Sequence, residues 1–337
     1  MIYKSIFFKD NNGLTACLKY MFMIGQSFNE NRALFFYSSI SVLIHKKDLF
    51  YRCHFITSRS NGQIFLNFTR IIEELVKKEE FLSKFGFSFS RGGAHSSRTI
   101  MLEDLELLFD AVADPAASKD EYFNSIIEDN CLKKRSVRTR KLTARHLMDL
   151  YALDPSVALF RVLRFFWQRD KEGRPLIALL CAYARDSILS SSAPFILDSS
   201  EGNIIRREAL EEFIDDKETD RFSKATLKSV AQNINSSFTK SGHLDGRRKK
   251  IRSKTNPTPG AAAYALFLGY LSGLRGESLF HSEYARLLDC SDQRIIELAE
   301  IASQKGWIVF KRIGNVMELL FPNLLTTQEM DWIREQN

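Results

Sequence analysis

Residues 261–322 contain the pattern that most restricts the possible fold, because three helical segments are followed there by two short strands. The spacing of apolar residues predicts helices over Ala261–Leu274 and Ser278–Leu288. Ser291 is placed to cap a third amphipathic helix. Two apolar strands then flank Gly314-Asn315, which is a two-residue hairpin signal. Three helices and a hairpin predict a C-terminal winged helix-turn-helix.

The preceding residues, 96–239, have the periodicity of a helical body. Between Met101 and Val112, apolar residues recur at i, i+4, i+7 and i+11. Asp154-Pro155 is expected to start another helix, with a capping carboxylate followed by proline. Leu176–Tyr183 is apolar on nearly all sides and is expected to be central. The predicted fold class is therefore mainly α, a multi-helical body with a C-terminal winged helix-turn-helix.

Residues 1–95 form an aromatic-rich segment whose fold the sequence leaves open. Its first 90 residues hold 14 of the 27 phenylalanines in this 337-residue chain. Short runs at 41–44, 53–56 and 62–66 suit strands or loose helices equally well. A second interpretation is that part of this segment does not belong to the native fold. At the other end, residues 323–337 are interpreted as a tail.

Positive charge is concentrated in two runs. Residues 131–148 contain seven Lys and Arg and no acid, whereas residues 240–254 contain seven and one acid. The runs carry +7 and +6, so the rest of the chain, within a total of +7, carries −6. Gly and Pro also make residues 240–260 look like an exposed basic linker. Concentrated charge suits phosphate binding. The residues predicted to contact DNA here are Lys133, Lys134, Arg135, Arg138, Arg140, Lys141, Arg145, Arg247, Arg248, Lys249, Lys250, Arg252 and Lys254.

The winged helix supplies a second set of candidates. Gln293 and Arg294, at the start of its third helix, are placed to reach base edges. Lys311 and Arg312, near the tip of the wing, are placed to contact phosphates. Acidic residues on the same exposed helix face, Glu297 and Glu300, oppose DNA reading. Docking of a partner protein by the winged helix is therefore an equal alternative.

Catalytic signatures are weak. Arg140 and His146 match Arg-x5-His, a spacing found in a class of helical ribonucleases, but the motif is permissive. Arg185-Asp186 is interpreted as a buried ion pair that orients a turn. His243 is interpreted as a phosphate contact or a turn residue. The sequence has no phosphate-binding loop, hydrolase elbow, metalloprotease or dinucleotide motif, and the prediction is a non-enzymatic binding protein.

Cysteine usage and hydropathy predict the compartment. The five cysteines are widely spaced, and no Cys-x-x-Cys occurs, so neither a disulfide framework nor a zinc site is expected. The apolar stretch 33–44 is much shorter than the roughly 20 residues that cross a bilayer. No secretory signal is evident. These features predict a cytoplasmic protein without a membrane segment, cofactor or metal.

A resemblance adds to this interpretation. Glu128–Arg140, with its run Lys133-Lys134-Arg135, resembles a segment of the BrxA-like proteins of BREX phage-resistance systems. Residues 269–276 and the helical order around them are also similar, so the resemblance covers residues 95–322. It implies a mostly helical, non-enzymatic, DNA-binding accessory protein of bacterial defence. This chain is longer than typical members of that family, and its first 90 residues have no counterpart there.

Together, these patterns predict binding to double-stranded DNA, driven by phosphate charge with little base readout. Other subunits of a defence complex are expected as further partners. Two alternatives stay open, a helical scaffold whose winged helix docks a partner protein and a ribonuclease that uses Arg140 and His146.

Overall fold

Helices account for most of the part of the chain that the computed structural model describes, residues 39–46, 49–56, 73–90, 92–218, 221–314 and 316–335. The chain divides into two units, residues 1–80 and 81–337. The first contains an antiparallel hairpin of β1 (Ser39–Lys46) and β2 (Leu49–Ile56), and its residues 73–80 are helical. The undecided runs 41–44 and 53–56 lie in these strands, whereas 62–66 lies outside the described residues.

The second unit begins with helical residues 81–83 and continues as a multi-helical body, as its apolar periodicity predicts. A short 3₁₀ turn, Ala94–Ser96, precedes the first long helix. The body helices are α1 (Leu102–Ala111), α2 (Lys119–Ile127), α3 (Val137–Tyr151), α4 (Ala158–Arg169), α5 (Arg174–Arg185), α6 (Ser187–Leu197), α7 (Arg207–Lys217) and α8 (Lys224–Lys240).

One predicted helix start is wrong. Asp154-Pro155 was expected to open a helix, but α4 begins at Ala158, after Val157. The Asp154 carboxylate instead accepts hydrogen bonds from the backbone N–H (2.9 Å) and hydroxyl (2.6 Å) of Ser156. The side chain is thus used in a local turn before the helix.

The core is built around α5 and a ninth helix, α9 (Pro259–Leu271). Eleven of the 13 residues of α9 are buried. This helix packs against α4 and α5 of the body and against the later helices of the winged helix. Because α9 belongs to both parts, residues 81–337 share one hydrophobic core.

Residues 240–260 are part of this fold and not an exposed linker. They contain β4 (Leu244–Asp245) and β5 (Lys250–Arg252), which form a three-stranded antiparallel sheet with β3 (Ile204–Ile205), in the order β3-β5-β4. His243 and Leu244 are buried. Buried backbone and side-chain contacts therefore fix a segment whose composition resembles a linker.

A winged helix-turn-helix ends the core, in agreement with the sequence prediction. Its helices are α9, α10 (Glu283–Arg286) and α11 (Asp292–Gln304), and its wing is the antiparallel hairpin β6 (Val309–Ile313) and β7 (Val316–Leu320). The predicted helix over Ser278–Leu288 is divided. A 3₁₀ segment, Gly276–His281, is followed by the single turn of α10, because the Ser282 side chain caps a new helix start.

The last helix, α12 (Thr327–Arg334), packs on the body, so residues 323–337 are not simply a tail. Glu329 completes a capping box with Thr326 and forms an ion pair of 2.5 Å with Arg161. Trp332 packs edge-on against Phe85, with ring centroids 5.8 Å apart. No helix among the described residues combines the length and the apolar composition needed to cross a membrane.

Candidate nucleic-acid interface

Helix α3 presents a basic stripe to solvent. The Ser136 side chain caps the helix by accepting a hydrogen bond of 3.2 Å from the Thr139 backbone N–H. Thr143, Ala144, Leu147 and Leu150 are buried on one face of α3. On the other face, Arg138, Lys141 and Arg145 are exposed at i, i+3 and i+7. At 1.5 Å per residue, the stripe extends about 10 Å along the helix axis.

The position of Arg138, at the start of this stripe, is unfavourable for the isolated helix. The N-terminus of a helix already carries a partial positive charge, and acidic side chains normally compensate it. The first turn of α3 has no acidic residue and instead contains Arg138. A negatively charged partner would relieve this repulsion, and phosphate groups are common ligands at such ends.

The seven cations of the first run have two different roles. Lys134 is half-buried and forms an ion pair of 2.6 Å with Asp104. The Arg140 guanidinium donates hydrogen bonds to the backbone carbonyls of Ile127 and Glu128, at the end of α2. These two side chains hold α3 in place. The five that remain exposed, without an ion pair to a described carboxylate, are Lys133, Arg135, Arg138, Lys141 and Arg145.

A tight turn between β4 and β5 presents the second group. Arg247, Arg248 and Lys249 are exposed there and form no ion pair with any described residue. Gly246 closes the turn with a φ of 88°, and a Cβ at this position would collide with the Lys249 carbonyl oxygen. Lys250 is half-buried and donates a hydrogen bond of 2.6 Å to the Gly246 carbonyl.

Arg252, by contrast, is a core residue, so the DNA contact predicted for it does not fit the structure. Its residue exposure is 3%. Its guanidinium forms two hydrogen bonds of 2.8 Å to the Asp289 carboxylate and one of 2.9 Å to the Ile196 carbonyl. Lys254 is exposed but is also paired with Asp289, at 3.1 Å. Burial alone would raise the pKa of Asp289, but its bonds to Arg252 hold that pKa below the usual value.

The winged helix is less suited to phosphate contact. Gln293 and Arg294 are exposed at the start of α11, but Arg294 pairs with Glu297 at 3.0 Å. Glu300 is exposed one turn further on. On the wing, Lys311 pairs with Glu318 at 3.3 Å.

Arg312 remains exposed at the wing, without an ion pair to a described carboxylate. Among the cations predicted to contact DNA, the unpaired ones therefore lie on three separate elements, α3 with the turn before it, the β4–β5 turn and the wing. No contact within the described chain joins side chains of different groups.

The structure does not bring Arg140 and His146 together as a ribonuclease pair. Arg140 contacts the end of α2, whereas the His146 Nε2 lies 3.4 Å from the Ser97 hydroxyl. Burial, together with the charges of Arg98 and Arg145, lowers the pKa of His146. His146 thus contacts a different element from Arg140 and is biased towards its neutral form. The two side chains are therefore not arranged to act on one phosphodiester.

The structure contains a buried Ser–His–Asp network that the sequence did not predict. The His95 ring lies 2.9 Å from Asp186 through Nδ1 and 2.9 Å from the Ser237 hydroxyl through Nε2. The order is that of a hydrolase triad, but exposures of 0%, 2% and 0% for His95, Asp186 and Ser237 leave no access for substrate. The prediction of an Arg185–Asp186 ion pair is wrong, because the Arg185 guanidinium donates its hydrogen bonds to backbone carbonyls instead.

His243 is also structural. It is fully buried, its Nε2 lies 3.0 Å from the Leu287 carbonyl and its Nδ1 lies 2.9 Å from the Ser241 hydroxyl. The Nε2–H therefore donates to the carbonyl, and Nδ1 is left to accept. Burial lowers the pKa of His243 to about 4. A phosphate contact by His243 is excluded by this burial.

Comparisons with known proteins add no assignment, because neither a family model nor a curated protein matches this chain. Among the described residues, no group of three or more His, Cys, Asp or Glu side chains is placed to hold a metal ion. The unpaired cations among the predicted DNA contacts are therefore the feature of this structure that bears most directly on function.

Proposed function

We propose that this protein binds double-stranded DNA through the phosphate backbone, without enzymatic activity of its own. The observation that carries the proposal is the basic stripe of α3, formed by Arg138, Lys141 and Arg145. Its cations are unpaired with described carboxylates, and the first of them, Arg138, stands in a first helical turn that has no acidic residue. Arg247, Arg248 and Lys249 in the β4–β5 turn supply a second set of phosphate contacts.

Base reading has a small part in this proposal. Arg294, the best placed residue of α11 for a base edge, is engaged by Glu297. Glu300 adds a further negative charge on the exposed part of the helix, which repels phosphate. Phosphate contacts position a protein on DNA but carry no sequence information. We therefore expect similar affinities for duplexes of unrelated sequence.

The proposal places this DNA-binding protein in bacterial phage defence. The similarity of Glu128–Arg140 to BrxA-like proteins supports a role as an accessory protein of a bacterial phage-defence system, together with other subunits of that system. A cytosolic location follows from such a role, and widely spaced cysteines suit a reducing compartment.

A second candidate function is docking of a partner protein by the winged helix. The acidic residues Glu297 and Glu300 on α11 favour it, since carboxylates are tolerated at a protein interface and disfavoured against DNA. Binding measurements with duplex DNA separate the two functions, because docking alone predicts no salt-dependent binding to duplex DNA.

The test is fluorescence anisotropy with a random-sequence duplex at salt concentrations from about 50 to 200 mM. Phosphate binding predicts an affinity that falls steeply over this range. The triple variant Arg138→Ala, Lys141→Ala, Arg145→Ala is expected to reduce the slope of log K against log salt by about 3, since each phosphate contact contributes about 0.9.

The matched control removes three cations that the structure pairs with acids, Arg207→Ala, Arg286→Ala and Arg334→Ala. It changes the net charge equally and should leave the slope nearly unchanged. Absence of binding at low salt, or equal slopes for the two triple variants, contradicts the proposal. Loss of RNA cleavage in His146→Ala would instead support a ribonuclease.

A further inference from the structure

The tip of the wing exposes an apolar pair. Ile313 is 82% exposed and Val316 is 73% exposed, the highest values among the large hydrophobic side chains that the structure describes. The two residues face each other across the hairpin, at the last register position before the turn. Exposed apolar side chains at adjacent positions mark interaction sites more often than isolated ones do.

The packing of the hairpin does not require this pair to be apolar. Phe310 and Leu319 lie opposite each other on the inner face, where Leu319 is buried and Phe310 packs against Phe280 with ring centroids 5.8 Å apart. Side chains alternate between the two faces of a strand, so Ile313 and Val316 lie on the outer face. The inner contacts hold the hairpin, and the outer pair is free for another role.

Charge around the tip indicates the kind of partner. Residues 305–320 contain Lys305, Lys311 and Arg312 but only one acid, Glu318. Glu318 is engaged by Lys311, at 3.3 Å, two register positions from the apolar pair. Arg312, on the opposite face of the strand from Ile313, lies beside the turn, its Nε 3.4 Å from the Gly314 carbonyl, and has no described ion pair. An apolar tip with an unpaired cation beside it is complementary to stacked bases flanked by phosphates.

We propose that Ile313 and Val316 form an apolar wedge that enters the minor groove, separates two stacked base pairs and bends the duplex, while Arg312 contacts an adjacent phosphate. The inference rests on the proposed DNA-binding function and adds a binding mode to it. Apolar wedges of this kind bend DNA by about 20–90°. Pyrimidine–purine steps unstack most easily, so the wedge prefers flexible steps without reading base edges.

The experiment uses the full chain and a duplex of about 30 bp with dyes at both ends, so that bending raises energy transfer between them. A 2-aminopurine placed in a central TA step reports unstacking by its fluorescence. The test variant, Ile313→Thr with Val316→Thr, keeps β-branched side chains that suit the strands. The control, Leu320→Thr, changes an exposed apolar residue on the same face but at the base of the wing.

Binding of the wild type or of Leu320→Thr is expected to raise both the energy transfer between the dyes and the 2-aminopurine fluorescence. The double threonine variant should still bind, with a salt slope changed by less than about 1, and should lose both signals. Thermal unfolding and molecular mass in solution are measured for each protein, to show that the variant is folded and in the same oligomeric state.

The outcomes separate the two proposals. If the wild type shows no binding by anisotropy, the DNA-binding function fails and the wedge fails with it. If the wild type binds without bending or unstacking, or if the double variant bends DNA normally, only the wedge is overturned. A lower molecular mass for the double variant in solution also overturns the wedge, since the apolar pair would then join copies of the chain.

Discussion

Replacing Asp186 by alanine should remove the carboxylate that holds the buried His95 network together on one side. The Asp186 carboxylate accepts hydrogen bonds from the His95 backbone N–H (3.0 Å) and contacts the His95 ring (2.9 Å). It also caps α6, accepting from the backbone N–H groups of Ile188 (3.0 Å) and Leu189 (3.1 Å). One substitution therefore unpairs two buried polar groups of His95 and removes a helix cap.

The expected loss is the sum of two effects. Loss of an N-cap costs about 1 kcal/mol. Each buried polar group left without a partner costs about 1–3 kcal/mol. We expect the free energy of unfolding to fall by about 4 kcal/mol for Asp186→Ala, which corresponds to a fall in Tm of about 10 °C for a unit of this size.

The control is Asp198→Ala, at the other end of α6. The Asp198 side chain is 63% exposed and pairs with Arg286 at the surface. Such pairs contribute at most about 1 kcal/mol, so Tm should change by less than about 4 °C. Both variants are measured by circular dichroism during thermal and urea unfolding.

The pH dependence provides an independent check. Burial alone would raise the pKa of Asp186, but its interactions with His95 hold that pKa below the usual value. The stabilisation is therefore fully present above the pKa of about 3.9 in the unfolded chain and is lost as the pH falls through the lowered folded value. The reasoning is refuted if Asp186→Ala and Asp198→Ala differ by less than about 1 kcal/mol near pH 7.

Two further predictions concern buried charged and titratable groups. Arg252→Ala should lower the free energy of unfolding by about 3–5 kcal/mol, because it leaves Asp289 without its buried partner; Arg248→Ala in the exposed turn should leave Tm unchanged, and similar Tm values for the two variants would contradict these roles. For His243, burial lowers the folded pKa from 6.5 to about 4. Below the unfolded pKa, His243 takes up a proton in the unfolded chain but not in the folded protein. The free energy of unfolding therefore has its full value above about pH 6.5 and falls by about 3 kcal/mol towards pH 4. His243→Gln should weaken this dependence in urea unfolding at several pH values, and an identical slope for the variant would count against it.

Local patterns were sufficient to predict α11 and the wing. Ser291 caps α11 by accepting a hydrogen bond of 3.3 Å from the Arg294 N–H, and the hairpin turns at Gly314, as the residue types indicate. These features depend on residues only a few positions apart. Periodicity and capping chemistry therefore contain the information needed to place them.

Non-local partners explain what the sequence did not predict. The composition of residues 240–260 is that of a linker, but Arg252 is fixed by Asp289, which is 37 positions away. The His95 network joins residues separated by 91 and 142 positions. Without the fold, no spacing relates such residues. For the same reason, the sequence did not distinguish Lys134 and Arg140, which hold α3, from their exposed neighbours.

The ion pair between Arg252 and Asp289, a clamp on β5, has a consequence for the speed of the proposed DNA binding. Because β5 is anchored in the core, the turn that follows Asp245 is fixed at its base before any ligand arrives. The conformational entropy of this loop is lost when the chain folds and not when a polyanion is captured. A duplex would meet Arg247, Arg248 and Lys249 already positioned. Weakening the clamp should therefore slow productive encounters, even where the exposed charges themselves are unchanged.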